Sequence, residues 1–227
     1  MLTKSDHERV AQAIAEAKSK SAGEIFCVLT HEVSRYREVP LAWAAIAAFV
    51  LPPLFTFAGL NWLTQTNLVS TWTDESAVAT KSLIMGALGS YTLLQAAIFV
   101  IVALIVAQPA VRRLLTPRFL KRHRVRQVAR HHFAASGAKL SHAEPHILIY
   151  ASLGDRQVEL VAHKAIHDAV GDGPWNAAVQ AVAEGMKEKK PAEGFIRAIQ
   201  ICGEALAAHF PANGPHQNFF PDDILET

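Results

Sequence analysis

Between Arg112 and Arg130 the chain carries eight basic residues, Arg112, Arg113, Arg118, Lys121, Arg122, Arg124, Arg126 and Arg130, and no acidic residue follows before Glu144. Cationic side chains at this density bind anions, and beside a bilayer each adds about 1 kcal/mol of attraction to anionic lipid headgroups. The same run is also what the ordinary positive-inside flank of a membrane span looks like. Both readings place Arg112, Arg113, Arg118, Lys121, Arg122, Arg124 and Arg126 at a membrane surface. A nucleic-acid partner is not expected, because the run lacks interleaved exposed aromatics.

Eleven histidines invite a metal reading. His163 and His167 are four apart and would share a helical face, but the residues between them are Lys164, Ala165 and Ile166, so the glutamate of an HExxH zinc site is missing. His142 and His146 have the same spacing, broken by Pro145. There is no GxSxG, GxxxxGK[ST] or GxGxxG, so neither a serine-nucleophile elbow nor a phosphate-cradling loop is indicated. Cys27 and Cys202 form no CxxC pair and suit a reducing compartment.

The elements that must position these residues divide sharply by composition. The 227 residues are 51% hydrophobic and 19% charged, with net charge +2, and the apolar surplus falls between Pro40 and Val111. From Pro40 to Leu60 twenty-one residues carry no charge, and at about 1.5 Å each they reach roughly 31 Å, one hydrocarbon core. Pro52-Pro53 predicts a kink there. Ser82 to Val111 is a second charge-free stretch that can tilt or end at Pro109, and the stronger span by length. No Asp, Glu, Lys, Arg or His lies inside either stretch, which argues against an ion transporter. Gly86, Ala87, Gly89 and Ser90 offer close helix approach, first of all within the hairpin.

Basic residues flank the pair on the outside: Arg35 and Arg37 before it, the arginine run after it, and only Lys81 between. Both termini are therefore expected in the cytoplasm. The organisation predicted is residues 1–39 as the first part of a soluble domain, 40–111 as a transmembrane hairpin with spans at about 40–60 and 83–108, and 112–227 as a basic collar and the rest of the domain.

In the soluble pieces, Ser5-Asp6-His7-Glu8 has a capping-box pattern, with Val10, Ala13, Ile14 and Ala17 on one helical face behind it. EIFCVLT from Glu24 reads as a strand buried on both faces. HILIYAS and RQVELVA, around Leu153-Gly154-Asp155, read as a hairpin that the first strand must join. A helix begins near Thr116-Pro117, with Leu120, Val125, Val128 and Phe133 as its apolar contacts. Trp175, Val179, Val182 and Met186 mark a second helix, and Phe195, Ile199, Cys202 and Leu206 a third. His209 falls at the end of that last helix, where it can meet the terminal carbonyls.

These pieces resemble the TPM domain, named for thylakoid lumen, photosystem II repair and nematode receptor-modulating proteins, in its bacterial membrane-protein form. The resemblance is carried by Ala22-Gly23-Glu24-Ile25, RRLLTPRFLKRHRVRQVARHHF, the hairpin ILIYASLGDRQVEL, and GFIRAIQICGEALAAHFP followed by Asn218-Phe219-Phe220-Pro221-Asp222. It implies an α/β/α sandwich with a small mixed sheet, interrupted here by a two-helix transmembrane hairpin. Where the family often has a Thr-Gly pair before the second strand, this chain has Ser141-His142-Ala143-Glu144-Pro145-His146.

Glu24 and Asp155 match the family pattern at a strand entrance and a hairpin turn, and Asp168 is a third carboxylate. Together they are the candidates for a divalent cation such as calcium, which takes several oxygen ligands. No catalytic set and no other cofactor is indicated. The expectation is a non-enzymatic protein of the bacterial inner membrane whose cytoplasmic domain binds, or assists assembly or maintenance of, a membrane protein complex. The alternatives are a membrane-bound phosphatase, since some plant members of the family are described so, and a module that binds anionic lipid.

Overall fold

In the computed structural model, which describes residues 2–31, 33, 36–57, 77–137, 145–212 and 222–227, the N-cap of the first helix lies two residues before Ser5. Thr3, not Ser5, is its N-cap: Asp6 N–H donates to Thr3 Oγ1 at 3.2 Å and Thr3 N–H donates to Asp6 Oδ2 at 3.0 Å. This reciprocal pair satisfies two donors at the helix start. Helix α1, Lys4–Lys20, then buries Val10, Ile14 and Ala17 along one face.

Strand β1, Glu24–Thr30, pairs in parallel with β2, His146–Ser152, in a register running from Glu24 opposite His146 to Thr30 opposite Ser152. β2 pairs antiparallel with β3, Gln157–Ala162, closing the expected hairpin. A fourth strand that the sequence reading missed, β4, Ile224–Glu226, lies parallel to the other edge of β1. The mixed sheet has the order β3-β2-β1-β4.

Alternating side chains send β1 and β2 into two cores. Ile25, Cys27, Leu29, Ile147 and Ile149 pack on the side that buries Val10 and Ile14 of α1 together with Trp175, Val182, Phe195, Ile199 and Leu206. Val28, Leu148 and Tyr150 pack on the other side, against Val125 and Ala129. The helices concerned are α5, Arg118–Gly137, on the second face, and α6, Lys164–Val170, α7, Gly173–Lys187, and α8, Pro191–His209, on the first. His163 is the N-cap of α6, its Nδ1 accepting from Ala165 N–H at 3.3 Å, so it does not share a helical face with His167.

The chain forms two units: residues 1–35 with 118–227, and residues 36–117. The second contains α2, Glu38–Phe57, α3, Ala77–Ala107, and the short α4, Pro109–Leu115, which brings the described helices to eight. Pro52 and Pro53 lie inside α2. α2 packs on α3, and Trp43 Nε1 donates to the carbonyl of Leu115 at 3.2 Å.

The expected two-span hairpin is not confirmed among the described residues. Among the described residues, one helix, Glu38–Phe55, is long and apolar enough to cross a membrane. Tyr91–Ala107 and Pro109–Leu115 meet at 96° and would count only if taken together as one span. The bend lies where Pro109 starts a new helix and its missing N–H interrupts the ladder of α3. The segment from Asn61 to Ser76 and most of the closing Asn218–Asp222 motif lie outside the described residues.

Candidate functional site

The three carboxylates proposed from sequence do not converge. Glu24 opens β1, fully buried, and ion-pairs with Lys18 Nζ at 2.8 Å. Lys18 also reaches Asp222 at 2.7 Å, so α1, β1 and the segment leading into β4 are tied by one ammonium. Asp155 lies in the β2–β3 turn, where Ser152 Oγ donates to it at 3.0 Å and Val33 N–H at 3.4 Å. Glu24 is level with His146 and the turn follows Ser152, so the two are separated by a strand length of roughly 20 Å. Asp168 sits exposed on α6. Glu24, Asp155 and Asp168 thus fail as a shared calcium shell, because a single ion needs its ligands within about 2.6 Å. Among the described residues no group of three or more His, Cys, Asp or Glu side chains could hold a metal.

The basic residues divide between the units. Arg112 and Arg113 belong to α4, whereas Arg118, Lys121, Arg122, Arg124 and Arg126 lie on α5. α5 turns Val125, Ala129 and Ser136 inward, while Arg118, Arg122, His123, Arg126 and Arg130 are exposed and Lys121 and Arg124 are half-buried. Phe119 is 74% exposed among them, contrary to the expectation that the run presents no aromatic to solvent. On the inner side His132 lies 5.6 Å from Tyr150, ring to ring. Burial lowers the imidazole's proton affinity there and raises the pKa of the Tyr150 phenol, offset in part by its hydrogen bond with Thr30.

A groove of about 480 Å³ follows β3, with Arg122 and Arg126 on the α5 side and Trp175, Asn176 and Val179 on the α7 side. Arg126 Nε donates to Glu159 Oε1 of β3 at 2.7 Å. Arg156, just before β3, adds a third guanidinium from a left-handed backbone conformation, φ +52°. That conformation is uncommon for a residue with a Cβ. Arg156 and Trp175 were not singled out for this role from sequence. The only available signal was an arginine in the last turn position, where glycine or asparagine is the usual residue.

A second cavity, at the carboxyl ends of β1 and β4, is lined by Thr30, His31, Leu153, Glu226 and Thr227. Its volume of about 110 Å³ is below what a drug-sized ligand needs.

No protein-family model matches the chain, and no curated protein matches it. The NMR structure of the BA42 protein from the psychrophilic bacterium Bizionia argentinensis is similar in fold, with a TM-score of 0.54 and 16% sequence identity. That alignment covers 100% of this chain and 96% of that one. At this identity the likeness concerns the fold alone.

Proposed function

We infer that the protein is a non-enzymatic, membrane-anchored binding module: a TPM-like α/β/α domain interrupted by a transmembrane hairpin, which binds or helps maintain a membrane protein complex at the bacterial inner membrane. The observation that carries this is the inverted polarity of α2. Pro40, Ala44, Ala48 and Pro52 form its buried stripe at intervals of four, while Leu41, Ile46, Phe49, Val50 and Leu54 are exposed. Leu93, Val100, Ile101, Leu104 and Ile105 of α3 are exposed in the same way. Small residues inside and large apolar residues outside suit helices whose solvent is lipid, and in water such a patch would demand a partner.

Cytoplasmic termini follow from the placement of arginines around the hairpin. The test is an alkaline carbonate wash of native membranes, then extraction in mild detergent of the chain tagged at its C-terminus. Retention through the wash and co-purification of a stoichiometric membrane complex are expected. Release by the wash rejects the hairpin, and purification of the protein alone rejects the complex.

A second reading is favoured by Phe119. An exposed aromatic flanked by Arg118 and Arg122 is what an interfacial helix presents to anionic headgroups. It predicts adsorption to vesicles containing phosphatidylserine that weakens steeply with salt. Equal binding to neutral vesicles rejects it.

A further inference from the structure

Among the described residues β3 is an edge of the sheet, and the groove runs along that edge between two helical layers. Val158, Leu160 and Ala162 turn towards the core of α1, α7 and α8, whereas Val161 turns towards α5. By the same alternation Glu159 faces α5, where Arg126 neutralises it. The groove's other carboxylate, Asp172, lies 3.6 Å from His167. Two cations are left over: Arg122 and Arg156 are exposed and make no hydrogen bond or ion pair among the described residues. On the opposite wall Trp175 is 6% exposed, and its indole N–H has no acceptor among the described residues.

We propose that this groove binds an extended acidic segment of a partner protein, which adds as a strand to the edge of β3. An edge strand supplies main-chain hydrogen bonds for such a segment, and pockets on its two sides select alternate side chains. The segment's carboxylates face Arg122 on the α5 side, with Arg156 at one end of the groove. Its intervening apolar side chains lie against Trp175 and Val179. The spacing fixes the length: the six residues of β3 extend roughly 20 Å, so six residues of partner match it. The sequence recognised is acidic and apolar in alternation, which a solvated acidic tail without that alternation does not satisfy.

This rests on the binding-module reading above and names the chemistry of the partner. The test uses the full chain in neutral maltoside micelles and a fluorescein-labelled peptide of three Glu-Val repeats. A peptide of three Glu followed by three Val is the control, with anisotropy as the readout. The alternating peptide is expected to bind at least about tenfold more tightly, and Arg122→Glu with Arg156→Glu to weaken it by about tenfold or more. Methylating alternate backbone nitrogens of the peptide on its β3-facing edge is expected to abolish binding. Equal affinity for the two peptides, indifference to N-methylation, or an unaffected double variant overturns the proposal. So does binding that the arginines confer only on phosphatidylserine vesicles, which would assign them to lipid. If the peptide fails while a membrane complex still co-purifies, the groove is rejected and the binding module stands.

Discussion

Lys18 and Glu24 meet at 2.8 Å where α1 hands over to β1, with side chains only 8% and 0% exposed. A carboxylate so placed is tolerable only because the ammonium is there. Lys18 is shared with Asp222, itself a third exposed, so the network also holds the lead into β4. Lys18→Met strands a buried charge and is expected to cost about 3–5 kcal/mol, whereas Lys18→Met combined with Glu24→Leu should recover most of that loss. Chemical denaturation of the two variants and the parent in one detergent condition measures it. If the single and double variants lose equally, packing rather than charge pairing accounts for the site.

Gly185 of α7 and Gly194 of α8 bring two helix backbones into contact. A Cβ on Gly185 would fall 2.7 Å from Gly194 Cα and 2.9 Å from the Lys190 carbonyl oxygen. Backbone cannot swing aside as a side chain can, so Gly185→Ala forces the helices apart at a cost of about 1–3 kcal/mol. Gly173 provides the contrast, since a Cβ there meets nothing within 4 Å. Gly173→Ala should be neutral or slightly stabilising. Thermal unfolding of both variants decides between a steric origin and a general intolerance of α7 to alanine.

The central strands and the main helix faces were legible because each is continuous in sequence. EIFCVLT and HILIYAS are unbroken apolar runs, and Phe195, Ile199, Cys202 and Leu206 repeat at helical spacing and are all buried. β4 was not legible. Its three residues, Ile224–Glu226, are too short to show a period, and only pairing with β1 makes them a strand. The helix start was misplaced because Thr3-x-x-Asp6 and Ser5-x-x-Glu8 both have capping-box spacing, and only the reciprocal hydrogen bonds between Thr3 and Asp6 choose. The metal candidates failed for a topological reason. A parallel β1–β2 pair sends the strand entrance bearing Glu24 and the turn bearing Asp155 to opposite ends of the sheet. The groove was invisible because Arg122, Arg156 and Trp175 come from three separate elements and meet only across β3.

Cys27 and Cys202 are buried free thiols in one core. Desolvation raises the pKa of each, chiefly by disfavouring the thiolate, and for Cys202 to about 12. Both should therefore resist a maleimide or an aromatic disulfide reagent while the fold is intact and react fully once it is denatured. The linkage has a definite sign. Groups with raised folded pKa values contribute stability that is complete below the unfolded thiol value, and it is lost as pH rises beyond it. Alanine at both positions should flatten the alkaline limb of the stability curve, although the cavities lower the curve as a whole. Rapid labelling of the native protein at neutral pH would contradict this placement.

Thr3 and Asp6 couple helix capping to acid sensitivity. The two hydrogen bonds from Thr3 hold the Asp6 carboxyl below its ordinary value of 3.8, with a smaller contribution from Arg9. A depressed folded pKa means that the carboxylate's contribution is present above the unfolded value and disappears as pH falls through the folded one. Thr3→Ala should cost about 1 kcal/mol near neutral pH and return the Asp6 titration towards 3.8. Because the parent loses the same carboxylate interaction on protonation, the gap between parent and variant should narrow as pH falls from 3.8 through the folded value. Carboxyl-carbon NMR titration of Asp6, alongside unfolding measured across that range, reads both effects. A gap of constant size at every pH would assign the cost of Thr3→Ala to something other than the capping box.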